Sequence, residues 1–315
     1  MPITNKKLYQ KVLFLCIVIL FIPALAGNNL LLDGDYHASQ LSPSPFLHFT
    51  GNSIVFLVEK KSQQFFILQV NDTAFSVIKQ YSCSTGKVSG NKNEAGDLKT
   101  PEGIYFIIEE KDSSRLSLIY GAGAFVLDYP NAFDQLNKKN GHGIWIHGTN
   151  EPERIKNSND TQGCVVLNNE DYKDLGQFVK PHITPVLIVN ELLYRQKQFI
   201  NQDKNNIMSF LDNWQRNWQD RNIEGYMQCY AANFTLNFMN WQEYHDYKNY
   251  IFNTTQSIDV EFSNLQIICE MEQYVVNFYQ TYKADGYIDY GIKQLYLQKD
   301  NDQYHIIKEV WTRLN

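Results

Sequence analysis

From Ser53 to Val189, short apolar runs are separated by Gly, Asn and Pro, the pattern of strands joined by turns. Ile54 to Val58 and Phe65 to Val70 flank the polar stretch Glu59 to Gln64 and read as a hairpin. Ala74 to Tyr81, Gly103 to Glu109, Leu116 to Ile119, Ile144 to His147 and Val186 to Val189 continue the series of strands. Within this region only Asn168 to Val179 carries helical spacing, with Tyr172, Leu175 and Phe178 on one face and Asn168 or Asn169 as the cap. The expectation is a mostly β domain over residues 53–190.

The pattern then changes. Residues 191–206 are polar and read as a linker, with a helix as one option. Ile207, Phe210, Leu211, Trp214 and Trp218 recur at three- and four-residue steps, which marks an amphipathic helix, and Ile223 to Tyr230 reads as a second short one. From Val260 onward the runs become β-prone: Leu265 to Cys269, Tyr274 to Tyr282, Lys293 to Gln298 and His305 to Arg313, with turns at Lys283–Gly286 and Asp300–Asp302. Helices followed by a meander predict an α+β unit over 207–315, a cone or a sheet laid on helices.

Length and composition fit two folded units: 315 residues, 43% hydrophobic and 14% aromatic. The net charge of −6 is spread without a clustered basic footprint, so nucleic acid is not an expected partner. Residues 1–26 stand apart. Lys6, Lys7 and Lys11 precede an uncharged apolar run from Val12 to Ala26, short of the ~20 residues that a membrane span needs, and Ala24-Leu25-Ala26 offers small residues for cleavage. This predicts a cleaved export signal, with a retained anchor as the alternative. Leu13 stands where a lipoprotein signal ahead of Cys16 needs a small residue, so lipidation is not expected. Residues 27–52 form an N-terminal segment, one use of which would be packing against a second copy in a homodimer.

Beyond the leader lie Cys83, Cys164, Cys229 and Cys269, too widely spaced for a disulfide-dense scaffold. Cys229 and Cys269 can pair only if a helix and a strand bring them together; the bland alternative is a buried core role for each. The seven histidines show no paired metal-ligand spacing and no Cys-x2-Cys occurs, so neither a metal nor a cofactor is expected. A Gly-x-Ser-x-Gly elbow and a phosphate loop are also missing from the sequence.

One constellation carries chemistry. Gly141 to Thr149 is a strand that ends at His147-Gly148, and Thr161-Gln162-Gly163-Cys164 follows after the polar loop 150–160. A thiol needs a neighbouring base to attack at neutral pH, and histidine commonly supplies it. Gly148 leaves a carbonyl for the second imidazole nitrogen, and Gly163 is expected to bring backbone amides near a developing oxyanion. His142 sits five residues before His147, on the opposite face of a regular strand, and Trp145 reads as core. The bland reading of the pair is a buried free cysteine beside a surface histidine, or a Cys83–Cys164 disulfide.

The stretch resembles the active-site motif of the L,D-transpeptidase (YkuD-like) family, in which a His-Gly-Thr strand end is followed after about a dozen residues by Ser/Thr-x-Gly-Cys. Two further blocks, Ser84-Thr85-Gly86-Lys87 with Gly96 to Tyr105, and Asp128-Tyr129-Pro130-Asn131, resemble that family in the same order. The resemblance implies Cys164 as nucleophile, His147 as general base, and Gly148 as the carbonyl that holds the imidazole. It also departs: Gln162 stands where many members carry histidine, and Val166 where many carry an arginine. Arg154 is then the nearest candidate for holding substrate carboxylates, Tyr129 a donor or wall, and Thr161 a hydrogen-bonding group of the active-site turn.

Residues 207–315 resemble the nuclear-transport-factor-2-like (NTF2-like) cone. Tyr226, Tyr230, Phe234, Phe238, Trp241 and Tyr244 would line its pocket or form its core, and its ligand is open. The pairing of the two domains is similar to that of proteobacterial cell-shape L,D-carboxypeptidases. Together these imply an enzyme of the periplasm or cell envelope acting on peptidoglycan stem peptides at the L-centre of meso-diaminopimelate. The product is a 3→3 cross-link or, by carboxypeptidase action, a tripeptide stem. A non-catalytic wall-binding protein is the alternative of another class.

Overall fold

The computed structural model describes residues 34–35 and 40–314; the expected leader and most of the segment before residue 40 lie outside the described residues. The first half contains β1 (Gly34–Asp35), β2 (Leu41–Pro43), β3 (Phe46–Phe49), β4 (Ser53–Glu59), β5 (Gln64–Val70), β6 (Ala74–Ser82), β7 (Gly103–Asp112), β8 (Gly123–Leu127), α1 (Ala132–Leu136), β9 (Trp145–His147), β10 (Val165–Val166), α2 (Asn169–Gly176) and β11 (Pro185–Val189). Nine strands make one sheet in the order β1-β6-β5-β4-β11-β7-β8-β9-β10. The β4–β5 hairpin forms as read from the sequence, and β11 returns parallel to β4. Strand β4 is a continuous apolar run because both its faces are covered: Val55 and Leu57 enter one core, Phe56 and Val58 another.

Three expectations change here. Leu116 to Ile119 is not a strand: β7 and β8 pair directly, so the segment is their connecting loop, with 3-10 turns at Ser113–Arg115 and Leu118–Tyr120. Asp112 caps the first turn, and Leu118 is 81% exposed, apolar without being core. Strand β8 gives little signal in the sequence because its glycine and alanine shorten the apolar run to three residues. Helix α1 also went unread; its five residues are too few for periodicity, and an Asn131–Asp134 capping box holds it.

The second half holds β12 (Tyr194–Gln196), α3 (Lys197–Gln219), α4 (Ile223–Met227), β13 (Thr235–Leu236), β14 (Met239–Asn240), α5 (Trp241–Thr254), β15 (Ile258–Glu270), β16 (Gln273–Ala284), β17 (Tyr287–Asp300) and β18 (Gln303–Arg313). Four long antiparallel strands and β3 form its sheet, in the order β18-β17-β16-β15-β3. Ile207, Leu211, Trp214 and Trp218 of α3 are buried in the core under it. Tyr226, Tyr230, Phe234 and Tyr244 lie in that same core, Trp241 packs partly against it, and Phe238 is fully exposed on the β13–β14 turn. Residues 191–206 are structured rather than a tether: β12 pairs with β2, and α3 begins at Lys197. The described part of the N-terminal segment is likewise used within the chain, since β3 pairs with β15.

A single apolar core joins the halves. Val55, Leu57, Phe66, Leu68 and Leu187 of the first sheet meet Ile268, Val275, Tyr296 and Ile307 of the second. Polar contacts cross the same boundary: the Asn277 and Gln294 amides donate to the His182 carbonyl, and the Tyr296 hydroxyl donates to Asp128 Oδ2 at 3.3 Å.

Candidate active site

Strands β9 and β10 run parallel, with Val165 opposite Ile146 and Val166 opposite His147. Side chains alternate along a strand, so Ile146 and Val165 enter the core while Trp145 and His147 share the other face, together with Cys164 one step before β10. The register thus sets Cys164 and His147 on the same face of neighbouring strands. The Cys164 thiol points toward the start of β9: its Sγ is 3.4 Å from the Gly143 carbonyl oxygen and also accepts from the Trp145 amide. Gly141 and Gly143 adopt φ of 93° and 75° there, a backbone region in which side-chain-bearing residues are strained.

His147 is buried, and its Nδ1 lies 2.5 Å from the Gly148 carbonyl oxygen. With Nδ1–H donating to that carbonyl, Nε2 keeps its lone pair. Burial pushes the imidazole pKa down to about 4, against the opposing pull of the Gly148 bond. Burial also raises the Cys164 thiol, outweighing the Trp145 amide and the positive charges of Arg154 and Lys92. At neutral pH the pair therefore rests as neutral thiol and neutral imidazole.

Gly148 is required by steric crowding. A Cβ there would meet Asn169 Oδ1 at 2.3 Å and the Ala122 nitrogen at 2.9 Å, and one on Gly121 would meet the same Asn169 oxygen at 2.1 Å. That oxygen accepts from the amides of Ala122 (2.8 Å) and Thr149 (3.0 Å), clasping the turn after His147 to the β7–β8 loop. Asn168 is the N-cap of α2, which frees Asn169 for this clasp. The sequence suggests only a cap at this pair. Tyr120, one residue beyond the segment expected to be a strand, sets its ring edge-on to His147 at 4.9 Å and packs against Trp145 at 4.9 Å. Trp145 is accordingly half-buried on the site face, not core.

The remaining candidates are placed as follows. Thr161 Oγ1 donates to the Cys164 carbonyl (2.8 Å) and accepts the Gly163 amide (3.0 Å), so that amide is engaged within the turn. Glycine is needed at 163 for another reason: φ is 124°, and a Cβ would meet the Lys99 carbonyl at 2.7 Å. Thr100 Oγ1, within the Gly96-to-Tyr105 block, donates to the Gly163 carbonyl at 2.9 Å and accepts the Gly86 amide at 2.8 Å, tying two blocks to the turn. Tyr129 is buried against Tyr105 and donates to the Asn140 carbonyl at 3.0 Å, which sets it beneath the approach to β9. Arg154 lies on a 3-10 turn of the 150–160 loop. His142 is exposed. Cys83, Cys164, Cys229 and Cys269 are all free, so neither disulfide considered from the sequence is formed. Among the described residues no group of three or more His, Cys, Asp or Glu is gathered to hold a metal.

Residues 53–188 match the family model of the L,D-transpeptidase catalytic domain (YkuD), and residues 206–310 match that of the Cds6 C-terminal NTF2-like domain. Bd1075 from Bdellovibrio bacteriovorus is 31% identical, the match covering 87% of this chain and 99% of that one, with a TM-score of 0.71. The helical cell shape determining protein Pgp2 from Campylobacter jejuni is 25% identical over 85% of this chain and 95% of that one, with a TM-score of 0.65. Comparison with curated protein sequences gives no match. The chain therefore belongs to the family of peptidoglycan-modifying, L,D-transpeptidase-type proteins in which a YkuD catalytic domain is followed by an NTF2-like domain.

Proposed function

We propose that Cys164 is the nucleophile of an acyl transfer on peptidoglycan stem peptides, with His147 as its base and the Gly148 carbonyl as the group that holds the imidazole. The observation that carries this reading is the common face of β9 and β10, with His147 Nδ1 engaged and Nε2 left as acceptor. Because both partners rest neutral, the proton moves during the attack. Sγ bonds to the carbonyl carbon at the L-centre of meso-diaminopimelate while its proton passes to Nε2. The tetrahedral intermediate collapses, the C–N bond to the terminal D-alanine breaks, and the leaving amine takes the proton from Nε2. The acyl group remains as a thioester on Cys164.

An amine of a second stem resolves the thioester to a 3→3 cross-link. Water resolves it to a tripeptide, and this second reading is favoured by the full-length likeness to a protein that determines helical cell shape, since trimming stems removes donors for later cross-linking. Purified protein incubated with tetrapeptide muropeptides separates the two: new dimers mark a transpeptidase, and tripeptide monomers without dimers mark a carboxypeptidase. Cys164→Ala is expected to yield neither product; turnover by that variant at the wild-type rate would sink the proposal. Export through the leader belongs to the same reading, and a mature N-terminus at Gly27 in protein recovered from the cell envelope is the expected result.

A further inference from the structure

A cavity of about 200 Å³ lies between the β5–β6 turn, strands β2 and β3 and one face of α3, and it shares no residue with the site around Cys164. The first turn of α3 opens onto it through Lys197 and Ile200. The Lys197 amide donates to the Gln40 carbonyl at 2.9 Å, but among the described residues the turn has no side-chain cap: Gln196 at the N-cap position makes no bond to it, and no acidic residue stands within it. The pairing of β2 with β12 sets Ser42 opposite Arg195, two residues before α3 begins. Ser42 lines the cavity, is 3% exposed, and its hydroxyl has no hydrogen-bond partner. The lining holds two lysines, Lys197 and Lys204, against one carboxylate, Asp72. That carboxylate is already engaged: it accepts from the Phe49 amide at 3.1 Å and from Lys204 at 2.9 Å, and His48 Nδ1 lies 2.5 Å from it. Lys204 and Asp72 are 25% and 37% exposed along their side chains, so the cavity has a mouth to solvent.

An uncapped helix N-terminus gathers partial positive charge and unmet N–H donors, which an anion satisfies. A buried hydroxyl without a partner is costly, and an acceptor brought by a ligand removes that cost. Phe46, Leu47 and Ile200 give the same cavity an apolar floor, which suits an anion carrying a short carbon chain better than an inorganic one. We propose that this cavity binds a small free carboxylate, its oxygens held by the Ser42 hydroxyl, the Lys204 ammonium and the uncapped amides of α3. Phe46 belongs to the core that joins the two sheets, and Leu47 and Ile200 to the core of the NTF2-like half, so the bound anion braces the seam between the halves. The site is independent of the acyl-transfer reading; D-alanine enters only as the small carboxylate which that reaction releases.

Calorimetric titration of the full chain with sodium acetate, D-alanine and inorganic phosphate at constant ionic strength tests this, with Cys164 blocked by iodoacetamide so that the catalytic site takes no part. Acetate or D-alanine should bind saturably, one per chain, with a Kd of about 1 mM. Ser42→Ala, which removes one hydroxyl and leaves no new buried polar group, should weaken that binding about tenfold without lowering the unfolding temperature. Lys204→Gln should weaken it by a similar factor. Tighter binding of D-alanine than of acetate identifies the released amino acid as the source, and the reverse order identifies a carboxylate made elsewhere. Heats that never saturate overturn the proposal, and so does an affinity unchanged in Ser42→Ala, whatever Lys204→Gln does. Saturable binding of phosphate with none of either carboxylate overturns the class of ligand. Because Cys164 is blocked throughout, none of these outcomes depends on whether that thiol performs acyl transfer.

Discussion

His147 is held by two neighbours with opposite effects on its proton. The Gly148 carbonyl favours the protonated ring, burial disfavours it, and burial wins, leaving a folded-state value of about 4. An unfolded chain titrates the same ring near 6.5. The folded protein therefore binds fewer protons than the unfolded chain in between. Stability from this group is complete above about pH 6.5 and is lost as pH falls toward 4. The acid limb of kcat/KM should accordingly lie near pH 4, and a limb at 6.5 would mean that the base is solvated in the working enzyme. Asn169 acts at the same scale. Asn169→Ala strips an acceptor from the amides of Ala122 and Thr149, which should cost about 1–3 kcal/mol in urea unfolding and slow turnover with it. Gly148→Ala drives a Cβ into the Asn169 oxygen and should impair turnover more than it impairs substrate binding.

At the scale of elements, the site is an edge feature: β9 and β10 end the large sheet, and the β7–β8 loop bends over them through Tyr120. Tyr120→Ala removes the ring edge from His147 and is expected to lower kcat by roughly ten- to a hundredfold with little change in unfolding temperature. An unaltered kcat would show that the loop merely covers the site. Much of this was legible in the sequence. The strands β4, β5, β6, β7, β9 and β11 follow from their apolar runs, and the Cys164, His147 and Gly148 constellation from one motif. What escaped were features fixed by partners distant in sequence. Tyr120 follows a segment that reads as a strand, and its place over the site emerges only once β8 is known to pair with β7. Asn169 looks like a cap until its carboxamide is found filling the space that Gly121 and Gly148 leave. Helix α5 was hidden by its aromatic and polar composition, and an Asn240–Glu243 capping box starts it.

At the scale of the molecule, the catalytic sheet and the NTF2-like sheet close on one core, so the accessory domain is part of the structural foundation of the catalytic one. Calorimetry of the whole chain should give one cooperative transition, and Tyr296→Ala, which empties a site between Phe133 and Asp128, should destabilise that single transition by about 3–5 kcal/mol. Two separated transitions would contradict a shared core. Sequence patterning could not reveal this junction, because β4 reads as buried whatever covers it. The central claim is the bond formed at Cys164, and intact-protein mass spectrometry tests it most directly. Wild-type protein mixed with tetrapeptide muropeptide and quenched in acid should gain the mass of the stem lacking its terminal D-alanine, mapped to Cys164 and missing from Cys164→Ala. Release of D-alanine with no adduct at any quench time, and at the same rate in Cys164→Ala, would contradict the account.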